Sequence, residues 1–135
     1  MVFQEFSLVP TLTVAQNIFL NGEPHSGGVI NDKEMIRRSR ELFQRMQVDV
    51  DPTAKMSSLS TAYWQLTEIA KALAEDARVL IMDEPTAALA RQEAKSLFEL
   101  IERLTAEGIS IVYISHRMEE VYQIADRITI LRNGK

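Results

Sequence analysis

Two apolar runs, "RVLIMDE" and "ISIVYISH", flank the amphipathic stretch "RQEAKSLFELIERLTAEG" between residues 78 and 116. Each run is continuously apolar instead of alternating, the pattern of parallel strands buried by helices on both faces. Between them Ala94, Leu97, Phe98, Ile101 and Leu104 recur at helical spacing as a buried stripe, and Gly108 ends the helix. "RMEEVYQIA" then reads as a further helix and "RITILRNGK" as a third strand. From residue 76 to residue 135 the rhythm is strand, helix, strand, helix, strand, which predicts an α/β fold with a parallel sheet.

Residues 1–75 read as mainly helical. In "PTLTVAQNIFL", Thr13 and Gln16 have capping-box spacing, and Val14, Ile18 and Phe19 follow as the apolar face of a short helix. "NGEPHSGGVIND" has the composition of a surface loop. Its paired glycines follow no strand and precede no Lys-Ser/Thr, so they do not read as a phosphate cradle, and His25 is expected in solvent. Asn31 and Glu34 can cap the next helix, where Met35, Ile36, Leu42, Phe43 and Met46 form one stripe. Arg37, Arg38, Arg40 and Arg45 fill much of the rest, as a solvated face or a docking surface. Asp51-Pro52 breaks the chain before "LSTAYWQLTEIAKAL", an amphipathic helix whose start is unusual.

Bulk properties narrow the function. At 46% apolar and 25% charged, the 135 residues suit a compact globular domain. A net charge of −4 argues against a nucleic-acid binder held by general electrostatics. With no cysteine there is neither disulfide nor thiolate chemistry. No apolar run approaches the roughly 18 residues needed to span a bilayer, so membrane association is expected only through a partner. The first residues, "MVFQEFSLVP", lack the pattern of a signal peptide, which favours a cytoplasmic location.

The chemistry concentrates at strand ends. "VLIMDEP" delivers two adjacent carboxylates to the carboxyl end of a buried strand, where open α/β sheets bind ligands. Asp83 can hold a magnesium ion, directly or through water, and Glu84 can orient or deprotonate an attacking water beside a nucleotide's terminal phosphate. "ISIVYISH" also ends in a polar pair, Ser115 and His116. If the two strands are neighbours, His116 reaches the cleft of Glu84 and can donate to a phosphate oxygen.

In this order the motifs resemble those of the nucleotide-binding subunit of ATP-binding cassette transporters. "VFQEFSLVP" stands as the Q-loop, "LSTAYWQ" as the signature, "VLIMDEP" as Walker B, "TAALA" as the D-loop and "YISH" as the H-loop. The resemblance covers almost the whole chain. "VFQEFSLVPTLTVAQNIFL", "EIAKAL", "DEPTAAL" and "YISHRMEEV" are most similar to the first of two cassettes in tandem ATPases of bacterial monosaccharide importers of the ribose, xylose, arabinose and galactose type. It implies a partial P-loop NTPase-like parallel sheet core with an inserted α-helical subdomain. Residues 1–75 would carry the Q-loop, helical subdomain and signature helix, and residues 76–135 the Walker B, D-loop and H-loop part of the core.

The resemblance also implies roles. ATP and Mg2+ are the cofactors. Gln4 contacts the magnesium and attacking water and couples the site to a permease, Asp83 supports the magnesium, Glu84 is the catalytic base and His116 contacts the γ-phosphate. Ser60, Ala62 and Tyr63, in the signature, face the nucleotide held by a second cassette. The partners implied are a sugar permease and that second cassette, at the cytoplasmic face of the bacterial inner membrane.

Departures from the pattern matter. No G-x-x-x-x-G-K-[ST] occurs, so the resemblance implies a fragment lacking the Walker A region, with an exposed sheet edge and apolar face and negligible hydrolysis by itself. A non-catalytic piece that only docks on a permease or partner cassette is the alternative. Ala90 stands where many relatives carry an acid, and Ala62 replaces the usual signature glycine. Tyr63 and Trp64 occupy positions of small or polar residues and either obstruct the phosphate or pack into the helical subdomain.

Overall fold

The computed structural model describes residues 7–131. Its first layer is helical, built from α1 (Val14–Ile18), α2 (Asp32–Met46) and α3 (Thr61–Ala74). Thr13 and Gln16 form the expected capping box: the Gln16 amide donates to Thr13 Oγ1 at 3.2 Å and the Thr13 amide to Gln16 Oε1 at 3.0 Å. The next orphan donors of α1, the Val14 and Ala15 amides, are taken by the carbonyls of Ala54 and Pro52, both at 2.9 Å. A helix of five residues is too short to stand alone, and these contacts hold it against the 52–58 segment and α3.

Asn17, fully buried in α1, fastens the preceding chain. It accepts from the Val9 amide at 2.7 Å and donates to the Val9 and Thr13 carbonyls at 3.1 and 3.0 Å. Asn31 caps α2 by accepting from the Glu34 amide at 3.1 Å. The loop before α2 carries one feature beyond the sequence reading, a hairpin of β1 (His25–Ser26) and β2 (Val29–Ile30). Gly27 and Gly28, at φ +61° and +83°, make its two-residue turn, a geometry glycine adopts without a Cβ penalty. His25 is exposed, as expected.

The second layer is α/β. Strands β3 (Val79–Asp83) and β4 (Ser110–Ile114) pair in parallel from Val79↔Ser110 to Asp83↔Ile114, joined by α4 (Arg91–Ala106), and α5 (Met118–Ile124) follows. α4 buries Leu97, Phe98, Leu100, Ile101 and Leu104, and Gly108 at φ +88° lets the chain turn into β4. Leu80 and Met82 are fully buried and join Met46, Met56 and Ile69 in one core that runs through both layers.

The continuous apolar runs predicted a sheet covered on both faces, whereas the resemblance implied a fragment with a bare apolar face, and the second expectation holds: Val79, Val112 and Ile114 are 54%, 48% and 47% exposed. Successive residues of a strand face opposite ways, so the helices of the described residues cover the Leu80–Met82 face and leave the other bare. The expected third strand fails, as residues 127–131 form no strand. Ile130 and Leu131 are 77% and 78% exposed, since no described strand offers them a ladder partner.

Candidate active site at the strand ends

The β3–β4 ladder carries Asp83 and Ile114 side by side at its carboxyl end. One residue further, the Glu84 amide donates to the Ile114 carbonyl at 2.9 Å, and Glu84 takes φ +44°. A left-handed conformation in a non-glycine residue, immediately before Pro85, is a local strain that surrounding structure must hold. The twist turns the side chain toward the loop after β4, where His116 Nδ1 lies 2.8 Å from Glu84 Oε1. The pair meets water, with the two side chains 74% and 31% exposed.

Asp83 is half-buried and has no hydrogen-bond or ion-pair partner among the described residues. An unengaged carboxylate at a strand end fits magnesium, which takes one or two protein carboxylates and fills its other positions with water and phosphate oxygens. Among the described residues no group of three or more His, Asp or Glu side chains is placed to hold a metal ion together.

The sequence reading missed Glu120. Its carboxylate, on a residue 9% exposed, accepts from Thr86 Oγ1, Tyr113 Oη, Ser115 Oγ and Arg117 Nη1. Burial pushes its pKa up, but hydrogen bonds from Thr86, Tyr113, Arg117 and Ser115 outweigh that and hold the acid below its ordinary value. Burial, together with the neighbouring carboxylate, pushes the Tyr113 hydroxyl well above the usual phenol range. The available signal was helical spacing: Glu120 lies four positions before Ile124, which packs on the core.

The signature positions lie at the start of α3. Ser60 is the N-cap residue, exposed, with no capping hydrogen bond from its side chain. Ala62 and Tyr63 line a cleft of about 510 Å³ with Gln65, Leu89 and Arg103. The two aromatics part company: Trp64 is half-buried and donates Nε1–H to the Met56 carbonyl at 2.9 Å, while Tyr63 remains 38% exposed. Thus the structure joins Glu84 to His116 and leaves Ser60, Ala62 and Tyr63 without a hydrogen bond to that pair.

Gln4 lies outside the described residues. Just beyond it, the Ser7 amide and hydroxyl both donate to Glu68 of α3, at 2.6 and 2.9 Å. The arginines of α2 are largely engaged within the fold. Arg37 pairs with Glu34 and Glu41, Arg45 with Glu107, and Arg38 stacks 4.8 Å from the Phe19 ring.

Known proteins resemble this chain in sequence and in fold. The family described as ABC transporter matches residues 1–87. The chain is 53% identical over its full length to the ribose import ATP-binding protein RbsA 3 of Rubrobacter xylanophilus, of which it covers 27%. It is 47% identical over 99% of its length to the arabinose import ATP-binding protein AraG of Rhizobium johnstonii, again covering 27%. The chain therefore spans about a quarter of the length of the curated relatives it matches. Among solved structures, an ATP-binding cassette of an ABC transporter in its ADP conformation superposes with a TM-score of 0.79 at 26% identity, covering 98% of this chain and 56% of that one. A dimeric bacterial ABC transporter cassette gives a TM-score of 0.70 at 25% identity, over 90% of this chain and 53% of that one. The fold is that of the P-loop ATPase cassettes, and the chain belongs to the ABC transporter family.

Proposed function

We propose that the chain is the Q-loop to H-loop segment of the ATP-hydrolysing subunit of a monosaccharide importer. The observation that carries this reading is the approach of His116 to Glu84 at the carboxyl ends of two parallel strands, beside an unengaged Asp83. In the longer protein Glu84 takes a proton from water as the water oxygen bonds to the γ-phosphorus and the bond to ADP breaks. Oε1 is held by His116, which leaves Oε2 for the water. Nδ1 of His116 faces Glu84, which leaves the other ring nitrogen, Nε2, to contact a phosphate oxygen.

Asp83, with Gln4, would hold Mg2+, which when bound neutralises charge on the phosphate oxygens. The 135 residues contain no G-x-x-x-x-G-K-[ST], so hydrolysis is proposed for the longer protein and not for this chain alone.

Ser60, Ala62 and Tyr63 would close over the nucleotide of a second cassette. There the exposed Tyr63 and the Ala62 methyl group weaken the contact, giving one strong site at Glu84 and one weak site in the partner. Motion would pass through Gln4 to a permease. Among the described residues no helix is long and apolar enough to cross a membrane, and we place the protein peripherally at the cytoplasmic face of the inner membrane. Single-turnover ATP hydrolysis by the full-length protein tests the reading. Glu84→Gln should lower the rate by on the order of 100-fold or more, and substantial remaining turnover would sink it. Ala62→Gly should raise turnover at the partner site.

A further inference from the structure

The contact between His116 and Glu84 cannot set its own geometry. Both side chains reach solvent, where water screens the pair and competes for its hydrogen bond. Yet the loops that carry them are joined at a second, buried junction. Thr86, two residues after Glu84 and 2% exposed, donates to the Glu120 carboxylate at 2.8 Å. Ser115, the neighbour of His116, donates to the same carboxylate at 3.2 Å and accepts from the Arg117 amide at 3.0 Å. Tyr113 and Arg117 complete the set at 2.9 and 3.2 Å. Hydrogen bonds to an ionised acceptor are about twice as strong as neutral ones, and burial strengthens them further.

We propose that Glu120 is a positioning residue, whose buried carboxylate clasps the turn after β3 to the loop after β4 and so sets the spacing of Glu84 and His116. It acts through those loops: its hydrogen bonds go to Thr86, Tyr113, Ser115 and Arg117, and none goes to Glu84 or His116. Its kinetic consequence rests on the hydrolysis proposed above, whereas its effect on the spacing does not. Glu120→Gln keeps the shape but removes the charge and replaces one of the two shared acceptor oxygens with an NH2 group, so the donors from both loops lose their ionised acceptor and the clasp loosens.

The test uses the full-length protein with Glu120→Gln and Thr86→Val. In crystal structures of the variants, His116 Nδ1 and Glu84 Oε1 should move out of hydrogen-bond reach. In steady-state assays kcat should fall by on the order of 100-fold for Glu120→Gln, the cost of a misplacement of about 1 Å, with KM for ATP unchanged. Thr86→Val should fall less, and it reads the same spacing should Glu120→Gln not fold. In a His116→Ala background Glu120→Gln should cost little more, because the spacing it sets no longer exists. An intact pair with unchanged kcat in folded Glu120→Gln overturns the proposal, as do losses from Glu120→Gln and His116→Ala that multiply. If the pair separates in the variants while the wild type hydrolyses no ATP, the clasp stands and the hydrolysis reading fails.

Discussion

The amide of Glu84 is bound to the carbonyl of Ile114 at 2.9 Å, which extends the parallel ladder one residue past Asp83 and holds Glu84 at φ +44°. The residue proposed to work on water is thus the one whose backbone is strained. Such strain persists where neighbouring contacts over-determine it, and here the ladder supplies them.

Two truncations at this position separate strain from contact. Glu84→Ala and Glu84→Gly both delete the carboxylate and its His116 partner, and they differ only in the Cβ that disfavours a left-handed backbone. Urea denaturation should find the glycine variant more stable by about 1 kcal/mol, although glycine normally destabilises. An alanine variant of equal or greater stability would show that φ carries no strain.

The signature aromatics should respond in opposite ways. Trp64→Phe removes the donor to the Met56 carbonyl and should cost about 1 to 3 kcal/mol in thermal or chemical unfolding. Tyr63→Ala, on the exposed side of the helix start, should stay within about 0.5 kcal/mol of the wild type. Equal costs would mean that both side chains pack.

Asn17 offers a third measurement. Asn17→Leu fills similar space but strips the Val9 amide and carbonyl of their side-chain partner, and should destabilise by at least about 2 kcal/mol. Calorimetric melting reads the loss, and a neutral result would mean that Val9 finds water instead.

The clasp has a pH signature as well. The folded-state pKa of Glu120 lies below the ordinary 4.5, because the hydrogen bonds favour its charged form against the opposing effect of burial. A lowered acid stabilises the fold above its unfolded value and loses that contribution as pH falls through the folded one. The stability gap between wild type and Glu120→Gln should therefore be full above about pH 5 and shrink below the ordinary value. Melting curves from pH 7 to pH 3 check this, and a gap that widens with acid would reverse the sign.

Much of this was local and hence legible. Thr13 with Gln16, and Asn31 through the Glu34 amide, cap their helices within one turn, so short stretches sufficed to find them, although the Glu34 carboxylate itself turns to Arg37. The carboxylates at the end of β3 and the imidazole after β4 followed from strand order, because neighbouring parallel strands end together. The arginine face was harder. Arg37 finds its acids within α2, but Arg45 meets Glu107, 62 residues away, and no helical spacing announces that pair.

Periodicity and capping chemistry, which act over a few residues, determined the α/β alternation, the helical first half and the candidate pair Glu84 and His116. Only the tertiary structure decided which sheet face lies bare, that Trp64 packs while Tyr63 does not, and that Glu120 gathers donors from three segments. The reason is that burial turns a polar side chain from a solvated group into one that must be satisfied, and its donors are chosen by which segments the fold brings together. Thr86 and Glu120 are 34 residues apart, and only the packing of α5 beside the end of β3 makes them one site.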